Sequence, residues 1–180
     1  MAHVARTITT IAPVDSQERF EGLGVRVVRE AARFESHDTV VSASLAVKAR
    51  KIVIATGSTA AIPPIPGLAD ISFLTNETVF SLTELPQRLL VIGGGPIGME
   101  LGQAFQRLGS EVVIIDAAAP LGREDSDASS AVVKQLIADG VELHANARVV
   151  AVEAGPEIVI EIAGEQKRLR GSHLLVALGR

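Results

Sequence analysis

The chain has 180 residues, of which 47% are hydrophobic and 21% are charged, as expected for one globular domain or one and a half small ones. Its 17 Lys and Arg are scattered among 21 Asp and Glu, and the formal net charge is −4, so no basic stripe is available to hold a nucleic acid. There is no cysteine, which excludes a disulfide framework, a thiolate metal site and a redox dithiol within these residues.

The N-terminal segment shows no targeting signal of the secretory type. No secretory apolar region follows Met1, and the longest apolar stretch, residues 89–99, is well short of the roughly 18 residues of a membrane span. We therefore expect a cytoplasmic protein. The segment before Asp15 contains arginine and hydroxyl residues and no acid, which favours a helix and leaves a transit peptide as the alternative.

Continuous Val/Ile/Leu runs are typical of parallel strands that are covered on both faces. They occur at residues 51–55, 89–92, 111–115 and 174–177. Between the second and third runs, apolar residues from Ile97 to Leu108 follow helical spacing, and a second helix is predicted over 131–138, after the polar loop 122–127. The strand–helix–strand order predicts an α/β fold, a Rossmann-like three-layer nucleotide-binding domain with a parallel sheet and a β-meander.

The chain also repeats itself weakly. From Gly24 it runs through Ala-Arg-Phe, an alternating segment and a basic patch to a strand that ends at Gly57. From Gly140 it runs in the same order to Gly179, although any two strand-rich segments share some likeness. Because only the second copy contains a glycine-rich turn, we expect the end of one nucleotide-binding unit and the whole of another, as in a piece of a longer protein.

A glycine-rich turn follows the predicted strand 89–92. It satisfies the pattern G-x-G-x-x-G through Gly93, Gly94, Gly95, Pro96, Ile97 and Gly98. In a dinucleotide site the first glycine permits the turn, the second lets the backbone approach the pyrophosphate, and the third allows close helix–strand packing. The helix N-terminus would offer N–H groups to the phosphates. The alternative is a close-packed turn that binds no ligand.

Two acids accompany this turn. Asp116 ends the next predicted strand, where a carboxylate can accept hydrogen bonds from an adenine-ribose 2′-hydroxyl and would repel a 2′-phosphate. This favours NADH over NADPH, unless a flexible loop brings Arg123 close. Glu100 is expected in the first helical turn, where the helix dipole alone would favour it.

The remaining polar residues do not form a recognisable site. His3, His37, His144 and His173 share no metal-ligand spacing, and none lies in a carboxylate cluster. Ser58, Ser81 and the other hydroxyls lack the setting of a nucleophile with its base. No metal site is expected.

Four segments together resemble the class I pyridine nucleotide–disulfide oxidoreductases, most closely the mercuric reductase and dihydrolipoamide dehydrogenase branch. These are residues 75–86 with the glycine turn that follows, the Ile-Ala-Thr-Gly-Ser segment 54–58, the Pro-Pro-Ile-Pro-Gly connector 63–67, and the Leu-Val-Ala-Leu-Gly-Arg segment 175–180. The resemblance covers nearly the whole chain. It implies part of an FAD domain over 1–70, a connector over 71–87 and an NAD(H)-binding domain over 88–180.

The resemblance also implies a homodimeric flavoenzyme in which a hydride passes from NAD(P)H to FAD and electrons continue to a cysteine pair. The residues that would contact NAD are Gly93, Gly94, Gly95, Pro96, Ile97, Gly98, Glu100, Asp116, Val149 and Gly179. Those that would contact FAD are Ala32, Thr56, Gly57 and Ser58. Glu100 would correspond to the glutamate near the flavin, the one candidate catalytic residue. NADPH-using relatives tend to carry arginine where this chain has Asp116 and Gly122, which again favours NADH.

The sequence departs from the family in what it lacks. The first glycine motif and the redox cysteines would lie upstream of Met1, and the dimerisation domain with its catalytic His–Glu pair beyond Arg180. We therefore expect the chain alone to bind nucleotide without catalysis. The alternatives are a stand-alone NAD-binding or redox-sensing module, and a flavin NADH oxidase or ferredoxin-reductase-like enzyme that uses no redox disulfide.

Overall fold

A computed structural model describes residues 1–179, so Arg180, the last residue of the predicted NAD domain, lies outside the described part. The chain divides into two compact units, Ala2–Ser58 and a second unit from Thr59 onward. Within residues 1–179, no helix combines the length and the apolar character needed to cross a bilayer.

The first unit begins with helices and ends in a small sheet. Helix α1 (Ala2–Ile11) confirms the helix favoured for the N-terminal segment and leads through the turn Ala12–Asp15 to α2 (Gln17–Gly22). Strands β1 (Arg33–Phe34), β2 (Thr39–Val41) and β3 (Ala46–Lys48) form a three-stranded antiparallel sheet.

The strand predicted at residues 51–55 is wrong. The segment has no regular secondary structure, and Val53 and Ile54 are 87% and 71% exposed. A parallel strand forms only beside another strand of a parallel sheet. The described sheet of the first unit is antiparallel and consists of β1, β2 and β3, so it offers this segment no such neighbour.

The second unit contains the predicted βαβ arrangement. Its parallel sheet has the order β10-β4-β5-β6, with β4 at Arg88–Ile92, β5 at Glu111–Ile115, β6 at Glu142–His144 and β10 at His173–Val176. Helix α3 (Pro96–Leu108) connects β4 to β5, and α4 (Ser126–Ala138) connects β5 to β6. Asp125, in the polar loop before α4, caps this helix, because its carboxylate accepts the backbone N–H groups of Asp127 and Ala128.

A second antiparallel sheet covers one face of the parallel one. It consists of β7 (Arg148–Glu153), β8 (Glu157–Ile162) and β9 (Glu165–Arg170). Leu90 and Val113, which pair across β4 and β5, belong to the core beneath this sheet, whereas Val91 and Ile114 belong to the core beneath the helices. The parallel sheet is therefore the middle of three layers, which confirms the predicted fold class.

Each unit contains one sheet of three consecutive antiparallel strands, β1-β2-β3 and β7-β8-β9, as the predicted repeat implies. The strand that should end the second copy is present as β10, whereas the strand that should end the first copy at Gly57 is absent. The boundary between the two compact units falls after Ser58. Residues 59–87 belong with the second unit because Leu68 and Val79 are fully buried in its two cores and Leu74 bridges to Leu175 of β10.

Candidate functional site

The glycine turn lies where the carboxyl ends of β4 and β5 meet. Gly93 follows β4 directly and donates its N–H to the carbonyl of Ile115 at the end of β5, at 2.8 Å. Gly95 is the N-cap of α3, and Pro96 occupies the first helical turn, where its missing N–H is not needed. The edge of the sheet thus presents the N-terminus of a 13-residue helix.

Gly93 and Gly98 are required by packing alone. Gly93 has φ +116°, and a Cβ there would lie 2.3 Å from the carbonyl oxygen of Ala177. A Cβ at Gly98 would lie 1.9 Å from the carbonyl oxygen of Gly93 and 3.4 Å from the side chain of Val91. These two glycines fit a close-packed turn as well as they fit a ligand site.

Gly95 has no such internal reason. Its φ of −75° is open to any residue, and a Cβ built on it would meet no atom within 4 Å. The space beside the helix N-terminus is therefore open on the side where a methyl group would project. A bare backbone in that position fits the close approach of a pyrophosphate.

Asp116 follows β5 and is half-buried. One carboxylate oxygen accepts the N–H of Gly94 at 2.6 Å, and the other accepts the N–H of Ala118 at 2.8 Å. The carboxylate therefore joins the glycine turn to the loop that follows β5. The sequence predicts only that Asp116 binds the adenine ribose. It does not predict the hydrogen bond to the Gly94 N–H, because motif spacing does not indicate which backbone amides surround a side chain.

The chain beyond β6 approaches the same edge. Asp116 donates its N–H to the carbonyl of His144 at 2.9 Å and accepts the N–H of Ala147 at 2.8 Å. Val149 lies two residues further, in β7, half-buried against the core beneath the antiparallel sheet.

Gly179 follows β10, and the residues just before it are hydrogen-bonded to the end of β4. Ala177, two residues before it, donates its N–H to Ile92, the last residue of β4, at 2.8 Å. Gly179 itself has φ +103° and accepts the N–H of Ala61 at 2.9 Å. The structure thus brings the glycine turn, Asp116 and the segment leading to Gly179 to one edge.

The expected position of Glu100 is wrong in one respect. α3 begins at Pro96, so Glu100 is its fifth residue and lies beyond the first turn, which contains no acid. Its side chain is exposed. The helix dipole acts mainly within the first turn and therefore does not explain this residue.

The candidate FAD residues belong to the first unit. Ala32 lines an apolar groove of about 410 Å³ together with Val28, Val40 and Val47. Thr56, Gly57 and Ser58 lie in the exposed, irregular segment at the end of the unit, where Gly57 has φ +68°.

A cluster of polar and charged side chains links β6, an edge strand of the parallel sheet, to neighbouring strands. Glu142 at the start of β6 accepts hydrogen bonds from Arg88 (3.0 Å) and Lys167 (3.2 Å), and its other contact is to the ring of His144 (2.8 Å). Burial raises the pKa of Glu142, but the contacts with His144 and Lys167 outweigh it and bring the pKa below its ordinary value. The cluster joins β4, β6 and β9 next to the residues that bind the backbone of Asp116.

Comparison with known proteins gives consistent matches. The family model described as pyridine nucleotide-disulphide oxidoreductase matches residues 10–180. Mercuric reductase of Bacillus cereus is 37% identical over 161 residues, which cover 87% of this chain and 26% of that protein. Mercuric reductase of Acidithiobacillus ferrooxidans is 35% identical over 174 residues, covering 90% and 31%. The chain thus spans about a quarter to a third of the length of these curated relatives.

Solved structures match in the same way. The HOCl-induced flavoprotein disulfide reductase RclA from Escherichia coli is 27% identical, with a TM-score of 0.77 over 98% of this chain and 42% of its own. LpdA from Mycobacterium tuberculosis is 25% identical, with a TM-score of 0.77 over 98% of this chain and 41% of its own.

Proposed function

Since the chain belongs to the pyridine nucleotide-disulphide oxidoreductase family, we propose that its second unit binds NADH and that its first unit contributes to an FAD site. In a longer flavoenzyme the hydride of NADH would pass to FAD, and electrons would continue to a redox disulfide or a bound substrate. The chain contains no cysteine, so a disulfide would have to come from residues outside it. By itself the chain would bind nucleotide without turnover.

The observation that carries the proposal is the open backbone at Gly95. Gly93 and Gly98 are explained by close contacts within the turn, but Gly95 has an ordinary φ and open space around its Cβ position. A glycine at the N-cap of α3 that neither a close contact nor a positive φ requires supports the approach of a ligand. The helix N-terminus favours an anionic ligand there.

Two features support NADH over NADPH. A 2′-phosphate about 4 Å from the Asp116 carboxylate would cost about 1 kcal/mol in water and about 4 kcal/mol at an effective dielectric of 20. The second feature is Gly122, at the position where NADPH-using relatives tend to carry arginine. A side chain there would place its Cβ 2.9 Å from the carbonyl oxygen of Ala119, so the loop would have to move to accept an arginine. Val149 would pack on the adenine, and Gly179 would lie near the nicotinamide ribose.

The proposed FAD contacts lie in the first unit, and one further candidate lies in the second unit. Ala32, Thr56, Gly57 and Ser58 are the residues that would contact FAD, and Glu100 on the exposed face of α3 is the candidate near the flavin. The intact protein would act as a homodimer.

Calorimetric titration of the chain with NADH and with NADPH, at one ionic strength, tests the proposal. We expect both to bind and NADH to bind more tightly. Equal affinities or a preference for NADPH would overturn the cofactor assignment. Absence of binding by either nucleotide would overturn the function itself.

A further inference from the structure

Leu121 has a backbone conformation that is unusual for its residue type. It lies in the loop between β5 and α4 with φ +52°, in the left-handed region that residues other than glycine seldom adopt. Such conformations cost free energy, persist only where their surroundings impose them, and cluster at ligand-binding sites.

The surroundings of Leu121 do impose it. Its carbonyl accepts the N–H of Glu124 at 2.9 Å and the hydroxyl of Ser129 at 3.1 Å. Its half-buried side chain packs against the core beneath the helices. The first turn of α4 and this core together hold the residue in place.

The N–H of Leu121 donates to the carbonyl of Gly94 at 2.8 Å. In a trans peptide the C=O and the next N–H lie in one plane and point in opposite directions. A fixed Gly94 carbonyl therefore fixes the direction of the Gly95 N–H, away from Leu121. Among residues 1–179, this N–H has no hydrogen-bond acceptor, and it belongs to the residue whose Cβ direction is open.

We propose that Leu121 is a positioning residue that aims the Gly95 N–H at an anionic oxygen of the bound dinucleotide, an inference that rests on the proposed function. Leu121 does not touch the ligand. It keeps one peptide plane of the glycine turn in the orientation that binds the pyrophosphate, so the donor needs no rearrangement when the ligand arrives.

The test compares three variants in the full chain. Leu121→Gly removes the side-chain anchor and frees the backbone, Leu121→Met keeps an apolar anchor, and Ala163→Gly is the matched control. Ala163 has the same φ of +52° but lies in the turn between β8 and β9. We expect Leu121→Gly to weaken NADH binding about tenfold, as for a lost hydrogen bond to a charged group. Leu121→Met and Ala163→Gly should bind NADH as the wild type does.

Adenosine, which has no phosphate, separates positioning from a general loss of structure. Leu121→Gly should bind adenosine as tightly as the wild type does, and hydrogen exchange should show loss of protection at the residue 121 amide. Unchanged NADH affinity despite that loss of protection would overturn the inference, as would an equal loss of adenosine and NADH binding. If Leu121→Gly fails to fold, Leu121→Asn is tested instead by the same criteria. Asparagine also tolerates the left-handed region. A wild type that binds no NADH would instead overturn the proposed function.

Discussion

The carboxylate of Asp116 accepts the N–H of Gly94 at 2.6 Å, so the residue expected to read the ribose also holds the glycine turn. Gly94 is bound on both sides, because its carbonyl accepts the N–H of Leu121. Two βα turns that are separate in sequence therefore form one hydrogen-bonded element. A substitution in either turn should therefore alter the backbone conformation of both turns.

Asp116→Ala should weaken the binding of both NADH and NADPH. It should also narrow the difference between the two affinities. The loss common to both nucleotides follows because the Gly94 N–H loses the acceptor that holds the glycine turn in place. The narrowed difference follows because a charge that repels the 2′-phosphate is gone. Calorimetric titration with both nucleotides measures the two effects.

Asp127→Ala is the matched control, since it removes the same charge from the exposed first turn of α4. It should change neither affinity appreciably. If Asp116→Ala left the ratio of NADH to NADPH affinity unchanged, Asp116 would not be the residue that distinguishes them.

Gly95→Ala and Gly98→Ala should separate ligand binding from folding. The methyl group at residue 95 enters open space, so the free energy of unfolding should fall by no more than about 1 kcal/mol, the cost of alanine at an N-cap, while NADH binding weakens. The methyl group at residue 98 would lie 1.9 Å from the carbonyl oxygen of Gly93, so this variant should be clearly less stable. Urea unfolding and NADH titration of both variants provide the comparison. Full NADH affinity in Gly95→Ala would remove the main support for the nucleotide site.

The sequence predicts the second unit well because its elements complete one another within the chain. The predicted strand 111–115 coincides with β5, and the helical spacing from Ile97 to Leu108 lies within α3. Each of these elements buries its apolar residues against another one in the same unit, so the local pattern and the tertiary environment agree.

The failures occur where structure depends on contacts that the local pattern does not encode. Residues 51–55 have the composition of a buried strand but no neighbouring parallel strand in the described first unit. Leu121 has a left-handed backbone that only its surroundings impose, and leucine carries no signal for it. The sequence also gives no signal that Gly102 packs closely against β5, where a Cβ would lie 2.7 Å from the side chain of Ile114.

Stability at acid pH should depend on Glu142. Because its pKa is lower when folded than when unfolded, the carboxylate stabilises the fold above its ordinary pKa, and this contribution is lost as the pH falls through the folded value. Glu142→Gln should therefore lower the melting temperature at pH 7 and flatten its decline between about pH 5 and pH 3.

Thermal unfolding followed by circular dichroism across this range measures the effect. Glu165→Gln is the control, because Glu165 lies on β9 as Lys167 does but forms no ion pair within residues 1–179. If Glu142→Gln and Glu165→Gln gave the same dependence on pH, the cluster around Glu142 would not contribute to acid stability.

Val53 and Val91 are chemically identical side chains in opposite environments, 87% exposed and fully buried. Val91→Thr places a hydroxyl in the core beneath the helices and should cost about 1–3 kcal/mol of unfolding free energy. Val53→Thr should change the unfolding free energy by less than about 0.5 kcal/mol and should reduce self-association, because an exposed apolar segment of strand-forming residues is prone to pair with another chain. Urea unfolding gives the first comparison and sedimentation velocity the second. If Val53→Thr destabilised the chain as much as Val91→Thr does, the segment 51–55 would be packed in solution rather than exposed.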